Sequence, residues 1–195
     1  ERVVNALEIF GSFARNADYV NGGVEAVTST DFRESPLGLF TFPAECYMHR
    51  QASFIPTFFP EDADSDFFYF PAYESEDLGN PVLGAGTLFG ITQDSEAAQA
   101  FMAFLQTEIS HEVWMAQSGF LTPHNGVNLD LFASDTQRQM NDILLGATTF
   151  RFDASDLMPS EIGQGIFWSG MVDYVGGEDA ISATTRIQDR WSEIQ

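Results

Sequence analysis

The stretch Arg151–Tyr174, RFDASDLMPSEIGQGIFWSGMVDY, packs carboxylates, glycines and a Phe-Trp pair into one short segment. Carboxylates accept paired hydrogen bonds from vicinal hydroxyls, an indole face covers the apolar C–H face of a sugar ring, and glycines let backbone approach closely. The mixture points to a polyhydroxylated ligand. Asp153 and Asp156 stand three residues apart, on one side of a turn. That suits approach from one side of a sugar better than hydrolysis, where two carboxyls flank the scissile bond at roughly 5–10 Å. Asp153, Ser155 and Asp156 equally suit the capping of a helix that starts near Pro159. Both readings of Asp153 stay open at this level.

Working outward, Val3, Val4, Leu7 and Phe10 fall at helical spacing, with Gly11 and the Asn16–Gly23 stretch closing that helix. Leu37–Phe42, after Pro36, reads as a buried strand, and Ala44–Phe54 as a helix entered directly from it. Strand ends that face a cleft are where open α/β sheets hold ligands. Phe67–Phe70 reads as a second strand, and Pro81–Ile91 as a glycine-rich strand crossing between subdomains. Asp94 is an expected N-cap for a helix with Ala98, Phe101, Phe104 and Leu105 on one stripe; a second helix over His111–Gln117 ends near Gly119. Ser134 is expected to cap a helix bearing Met140, Ile143, Leu144 and Ala147, and Ile181, Ile187, Trp191 and Ile194 mark a terminal one. The expected class is α/β, helix-rich, with few short strands.

A formal net charge of -21, with eight arginines and no lysine, repels nucleic-acid phosphates and anionic lipid surfaces. Both are excluded as partners. The acidic, lysine-free surface fits adaptation to high salt, where screening relieves self-repulsion, and fits a general composition bias equally well. Cys46 is the single cysteine, so no internal disulfide forms and a buried structural thiol is expected. No apolar run approaches the ~20 residues needed to span a bilayer. The opening ERVVNALEIF lacks the pattern of a secretion signal.

Several lookalikes carry no chemistry. Gly84-Ala85-Gly86 resembles a dinucleotide loop, but Gly90 falls one place late and no helix start follows. Asp62, Asp64 and Asp66 imitate a calcium loop, yet Phe67 stands where glycine is required and Tyr73 where the bidentate glutamate belongs. His49, His111 and His124 lie far apart, and no serine sits in a nucleophile elbow. No metal, no cofactor and no catalytic residue is expected.

The runs FDASDLMP and GQGIFWSGMVDYVGG resemble the C-terminal part of extracellular solute-binding proteins, family 1, of alpha-glucoside-type sugar ABC transporters. ECYMHRQASFIPTFFP, DFFYFPAYESEDLGNPVLGAGTLFG and SEAAQAFMAFLQTEISHEVWMAQSGFLTP agree in the same order. The resemblance implies the C-terminal half of a type II periplasmic-binding-protein-like fold. Residues 1–80 and 147–195 would form a ligand-binding lobe, and 81–146 part of the other, with hinge crossings near 80 and 147. It also implies an oligosaccharide ligand, permease subunits as partners and an extracytoplasmic location, periplasmic or as a cell-surface lipoprotein. Trp168 takes the place of a sugar-stacking tryptophan, and Tyr47 that of an aromatic which relatives place after a glycine pair, here Glu45-Cys46. Gly86 and Thr87 stand where relatives often carry glycine-aspartate. Asp153 and Asp156 would orient hydroxyls, and His49 would donate to them. An incomplete lobe would leave the face of Phe101, Phe104 and Trp114 exposed, or covered by a second copy in a homodimer. The rival readings are a glycoside hydrolase and an interaction domain without a small ligand.

Overall fold

A computed structural model describes residues 1–71 and 77–194; Tyr73 lies outside them. The elements are α1 (Arg2–Ala14), α2 (Gly23–Ser29), β1 (Pro81–Gly84), α3 (Glu96–Leu105), α4 (Glu108–Met115), α5 (Asp135–Leu145), β2 (Thr149–Phe152), a π-helical segment Glu161–Phe167, α6 (Trp168–Gly176) and α7 (Ala180–Glu193). Single 3-10 turns fall at Leu37–Leu39, Ile55–Phe58, Leu129–Leu131 and Ser155–Leu157. The chain divides into two compact units, residues 1–49 with 152–195, and residues 50–151. Among the described residues it is helix-rich, and its one sheet has two strands.

In the first unit Leu7, Tyr174, Val175, Ala180 and Ala183 form the core, with Val4, Val24 and Met171 against it. Leu7, Gly11 and Ala14 share the buried face of α1, so Gly11 does not end that helix as its glycine suggests. A side chain there would collide with the Tyr174 hydroxyl, which donates to the Leu7 carbonyl at 2.6 Å. The Arg15 guanidinium covers the Tyr174 ring at 4.8 Å. Gly170 likewise lets Ile187 of α7 seat on α6. Asp179 caps α7 through the Ser182 amide at 2.9 Å.

The strand expected over Leu37–Phe42 is a 3-10 turn followed by bends, and Ala44–Phe54 is not helical. The physical reason is local. The Gly38 carbonyl accepts the amides of Glu45 at 3.0 Å and Cys46 at 3.2 Å, while Thr41 Oγ1 accepts from the Glu45 amide at 3.0 Å. Those bonds close a loop and leave no ladder to pair, so the apolar side chains here are not a sheet.

In the second unit β1 and β2 pair beside an Asn80–Thr148 clasp: the Thr148 amide donates to the Asn80 carbonyl at 3.0 Å and the Asn80 amide to Thr148 Oγ1 at 2.8 Å. β1 covers only the first part of the strand expected over Pro81–Ile91, and Phe67–Phe70 is not a strand. Ser95, not Asp94, caps α3; Asp94 accepts from the Gln99 side chain at 2.7 Å instead. Ser134 caps α5 through the Gln137 amide, as its position predicts. Met115, Thr122, Gln137, Asn141, Ile55 and Val127 are among the buried residues of this unit. Thr122 ties α4 to α5: its amide donates to Asn141 Oδ1 at 2.8 Å, and its hydroxyl meets His111 Nδ1 at 2.7 Å.

Replacing Tyr174 by Phe is expected to cost about 1–2 kcal/mol, the worth of a buried hydrogen bond. Gly11→Ala should cost ~1–3 kcal/mol through overpacking. Both are read as a lower urea midpoint at unchanged slope.

Candidate functional site

The 152–168 segment is organised by one close approach. The 3-10 turn Ser155–Leu157 lies on the π-helical segment so tightly that a Cβ on Gly163 would collide with the Ser155 carbonyl oxygen and press on Met158. Gly163 is buried, as is Ile162 beside it. The amides of Ile162 and Gly163 both donate to the Pro159 carbonyl, at 2.8 and 2.9 Å. Glu161 pairs with Arg190 and so anchors the segment to α7. π turns are rare and recur at functional sites, because the extra residue re-aims whatever follows. Here Trp168 follows, at the first residue of α6, 70% exposed, with Phe167 half-buried behind it.

Asp153 is used structurally. Its Oδ1 accepts from the Ser155 amide at 3.0 Å and the Ser155 hydroxyl at 2.8 Å, so it holds the entry to the turn. Asp156, inside the turn, is exposed. The structure thus places both carboxylates on one short turn and docks that turn on the segment that carries Trp168. Asp153 caps no helix near Pro159, where the π-helical segment has no side-chain cap; its bonds to Ser155 form a local turn instead.

Tyr47 leaves the closed loop described above and is 86% exposed. Gly38 makes the loop possible: a Cβ there would sit 2.8 Å from the Asn21 amide nitrogen and 3.2 Å from Cys46 Sγ. Cys46 is half-buried rather than buried, and partial burial followed by the charge of Glu45 pushes its thiol up from its ordinary value. His49 is half-buried, with Nε2 3.3 Å from Ser35 Oγ, and burial lowers its pKa. It serves this loop through Ser35. Gly86 and Thr87 belong to the second unit, in the exposed segment after β1, and a Cβ on Gly86 would meet nothing within 4 Å.

A shallow groove along α7, lined by Ile166, Ile181, Thr185, Arg186 and Arg190, contains none of these candidates. Arg186 bridges Asp173 at 2.9 Å and Glu178 at 2.5 Å beside it, which is a structural use. Sequence reasoning missed Gly163 as the pivot of the site. The signal was present in GQG between two helix-forming runs, but a glycine's reason is visible only in what approaches it.

Gly163→Ala is expected to lower stability by ~2 kcal/mol or more, since backbone rather than a flexible tip blocks the new methyl, measured by chemical denaturation. Acid sensitivity should follow the histidines. Burial lowers His49, and burial followed by the neighbouring His124 lowers His111, partly offset by the Leu105 backbone. The unfolded chain then binds more protons than the folded one, so stability is full above about pH 6.5, the ordinary histidine value, and falls as pH drops below it. The double variant His49→Gln, His111→Gln should flatten the fall of stability that begins below about pH 6.5.

No family model and no solved structure matches the chain. Among known proteins it is 58% identical over 99% of its length to the alpha-glucosides-binding periplasmic protein AglE of Rhizobium meliloti, covering 43% of that relative. It is 42% identical over 97% of its length to the osmoprotective compounds-binding protein GgtB of Synechocystis, covering 46% of that one. The chain therefore spans less than half the length of the curated relatives it matches. The identity is sustained from end to end of the chain, so its similarity to these solute-binding proteins extends well beyond the last segment.

Proposed function

We propose that the chain is part of the extracytoplasmic substrate-binding component of an ABC importer, capturing an alpha-glucoside-like oligosaccharide and presenting it to permease subunits. The observation that carries this reading is the largely exposed indole of Trp168, set by a π turn beside a carboxylate-bearing turn. A rigidly presented aromatic face with hydroxyl acceptors nearby is the chemistry a saccharide requires. Tyr47 supplies a second aromatic face, Asp156 and the outer oxygen of Asp153 accept from hydroxyls, and His49 donates to them; Gly86 and Thr87 are proposed as ligand contacts of the other unit. The name of the Rhizobium meliloti relative supports the sugar class.

The proposed architecture is a type II periplasmic-binding-protein-like fold. Residues 1–80 with 147–195 belong to a ligand-binding lobe and 81–146 to part of the other, with crossings near 80 and 147. The compact units differ from that division at residues 50–71, 77–80 and 147–151, which group with the second unit. Ligand contacts from both lobes would stabilise a closed state that the transporter recognises. The sugar leaves unchanged. Asp153 and Asp156 share one short turn, with Asp153 engaged by Ser155, an arrangement that favours holding a sugar over flanking its glycosidic bond.

A second ligand class is favoured by the osmoprotective compounds named for the Synechocystis relative. Calorimetric titration with maltose, trehalose and glycine betaine separates the two. Saccharide binding weakened roughly tenfold or more by Trp168→Ala, which is a loss of about 1.4 kcal/mol or more, and weakened also by Asp156→Asn, supports the sugar reading. At ~100 times its dissociation constant the ligand should stabilise the fold by about 2.7 kcal/mol. Reducing sugar released from an alpha-glucoside and abolished by Asp156→Asn would make the protein a hydrolase instead. The titration is run on the chain joined to the rest of a family member, so that both lobes are present.

A further inference from the structure

The segment 120–128, between α4 and α5, is held by side chains of α4. The Phe120 ring stacks on Trp114 at 4.6 Å and lies 5.9 Å from the His111 ring, and the Asn128 amide donates to Glu112 Oε1 at 2.9 Å. Between these ends the segment is closed by histidine. Thr122 Oγ1 lies 2.7 Å from His111 Nδ1 and accepts from the His124 amide at 3.0 Å. The His124 ring, 5.3 Å from that of His111, accepts the Gly126 amide on its own Nδ1 at 3.0 Å. That last bond fixes a proton. A backbone N–H can only donate, so His124 Nδ1 is bare and the ring proton sits on Nε2. The geometry is that of an Asx turn, in which an Asn or Asp side chain accepts the amide two residues on, with imidazole in place of the carbonyl. On Asn such a turn survives acid. On histidine it does not, because imidazolium donates from both nitrogens and accepts at neither.

The charged groups around the pair act in both directions. On α4, Glu108 crowds the same side of Gly126 as the His124 ring and favours positive charge there, while Glu112 is engaged by the Asn128 amide. His111 opposes a second charge from 5.3 Å, and α3 contributes the Leu105 backbone, which favours charge on His111. From α5 the segment meets Asn141, which is neutral and accepts the Thr122 amide at 2.8 Å; Asp135, paired with Arg138, and Asp142 are exposed, as is Asp130 of the intervening turn. We infer that 120–128 is an acid-released clasp between α4 and α5, with His124 as the residue that opens it. Protonation turns Nδ1 from the acceptor of the Gly126 amide into a donor aimed at it. Opening frees Thr122 from Asn141 and Phe120 from Trp114, so the second unit loosens locally while the first, whose core contains no histidine, stays closed. The inference does not depend on the ligand proposed above.

Protection factors for amide exchange, compared at about pH 7.5 and about pH 5.5, across the range where histidine changes charge, test this without sugar. The protein is the 195-residue chain, or that chain joined to the rest of the Rhizobium meliloti relative should it not fold alone. On acidification the Thr122 amide should lose protection ~10-fold or more, the scale of one lost hydrogen bond, while the Ala183 amide, bonded to the Asp179 carbonyl in α7, stays within about twofold. His124→Asn places Oδ1 where Nδ1 stood and should hold the Thr122 protection level at both pH values. His124→Phe, which has no acceptor, should lower it at both. Nitrogen NMR at the higher pH should show His124 as the Nε2–H tautomer. An Nδ1–H tautomer there, an equal fall at Thr122 and Ala183, no fall in the native chain, or a fall that persists in His124→Asn each overturns the inference.

Discussion

The approach of the Ser155 carbonyl to the Cα of Gly163 is the constraint from which the candidate site is built. Interiors are close-packed and bistable rather than continuously deformable, so a methyl-sized change at such a point moves whole segments. On one side of this contact stands a turn with Asp153 and Asp156; on the other, the π segment hands its direction to Trp168. The Glu161–Arg190 pair fixes the far side of the segment to α7. Under the proposed function, an indole carried on backbone fixed in this way would have less to order on binding, which is what pre-organisation means in energetic terms.

The excess of acid shapes the rest of the surface. Arg33, Arg138, Arg186 and Arg190 each contact carboxylates on exposed ground. Such pairs contribute little singly, so the fold depends on its two small cores. In the first, Tyr174 is both packing and hydrogen-bond partner to α1; in the second, Thr122 and Asn141 join two helices through polar bonds. Asp31, engaged by the Arg33 side chain and backbone, is held down to about 2, so it stays ionised through any ordinary pH.

Exposure is uneven between the two units. In the first, Trp168 and Tyr47 stand in solvent on segments that are locally locked, which is the pattern of a recognition surface. In the second, α3, a helix with almost no polar residues, has no buried residue. These are different physical situations that share one number, the solvent-exposed fraction. They are separated by asking whether the backbone beneath each side chain has its own reason to be rigid.

Much was legible before any coordinates. Helical periodicity with Ser134 as a cap gave α5, and the spacing from Ile181 to Ile194 gave α7, because those signals are local and repeat along the chain. The final segment carried the family resemblance. What the sequence could not determine was how non-local partners use a residue. Leu37–Phe42 has strand composition, but the Gly38 carbonyl binds amides further along the chain and closes a loop instead. Gly11 reads as a stop and is a contact for Tyr174; the glycines of the 151–174 segment read as places of close backbone approach, but that Gly163 is the one, and Ser155 what approaches it, is not in the sequence. Propensity describes a residue beside its neighbours in sequence, whereas the space left by a missing side chain acquires meaning only when tertiary structure decides what fills it.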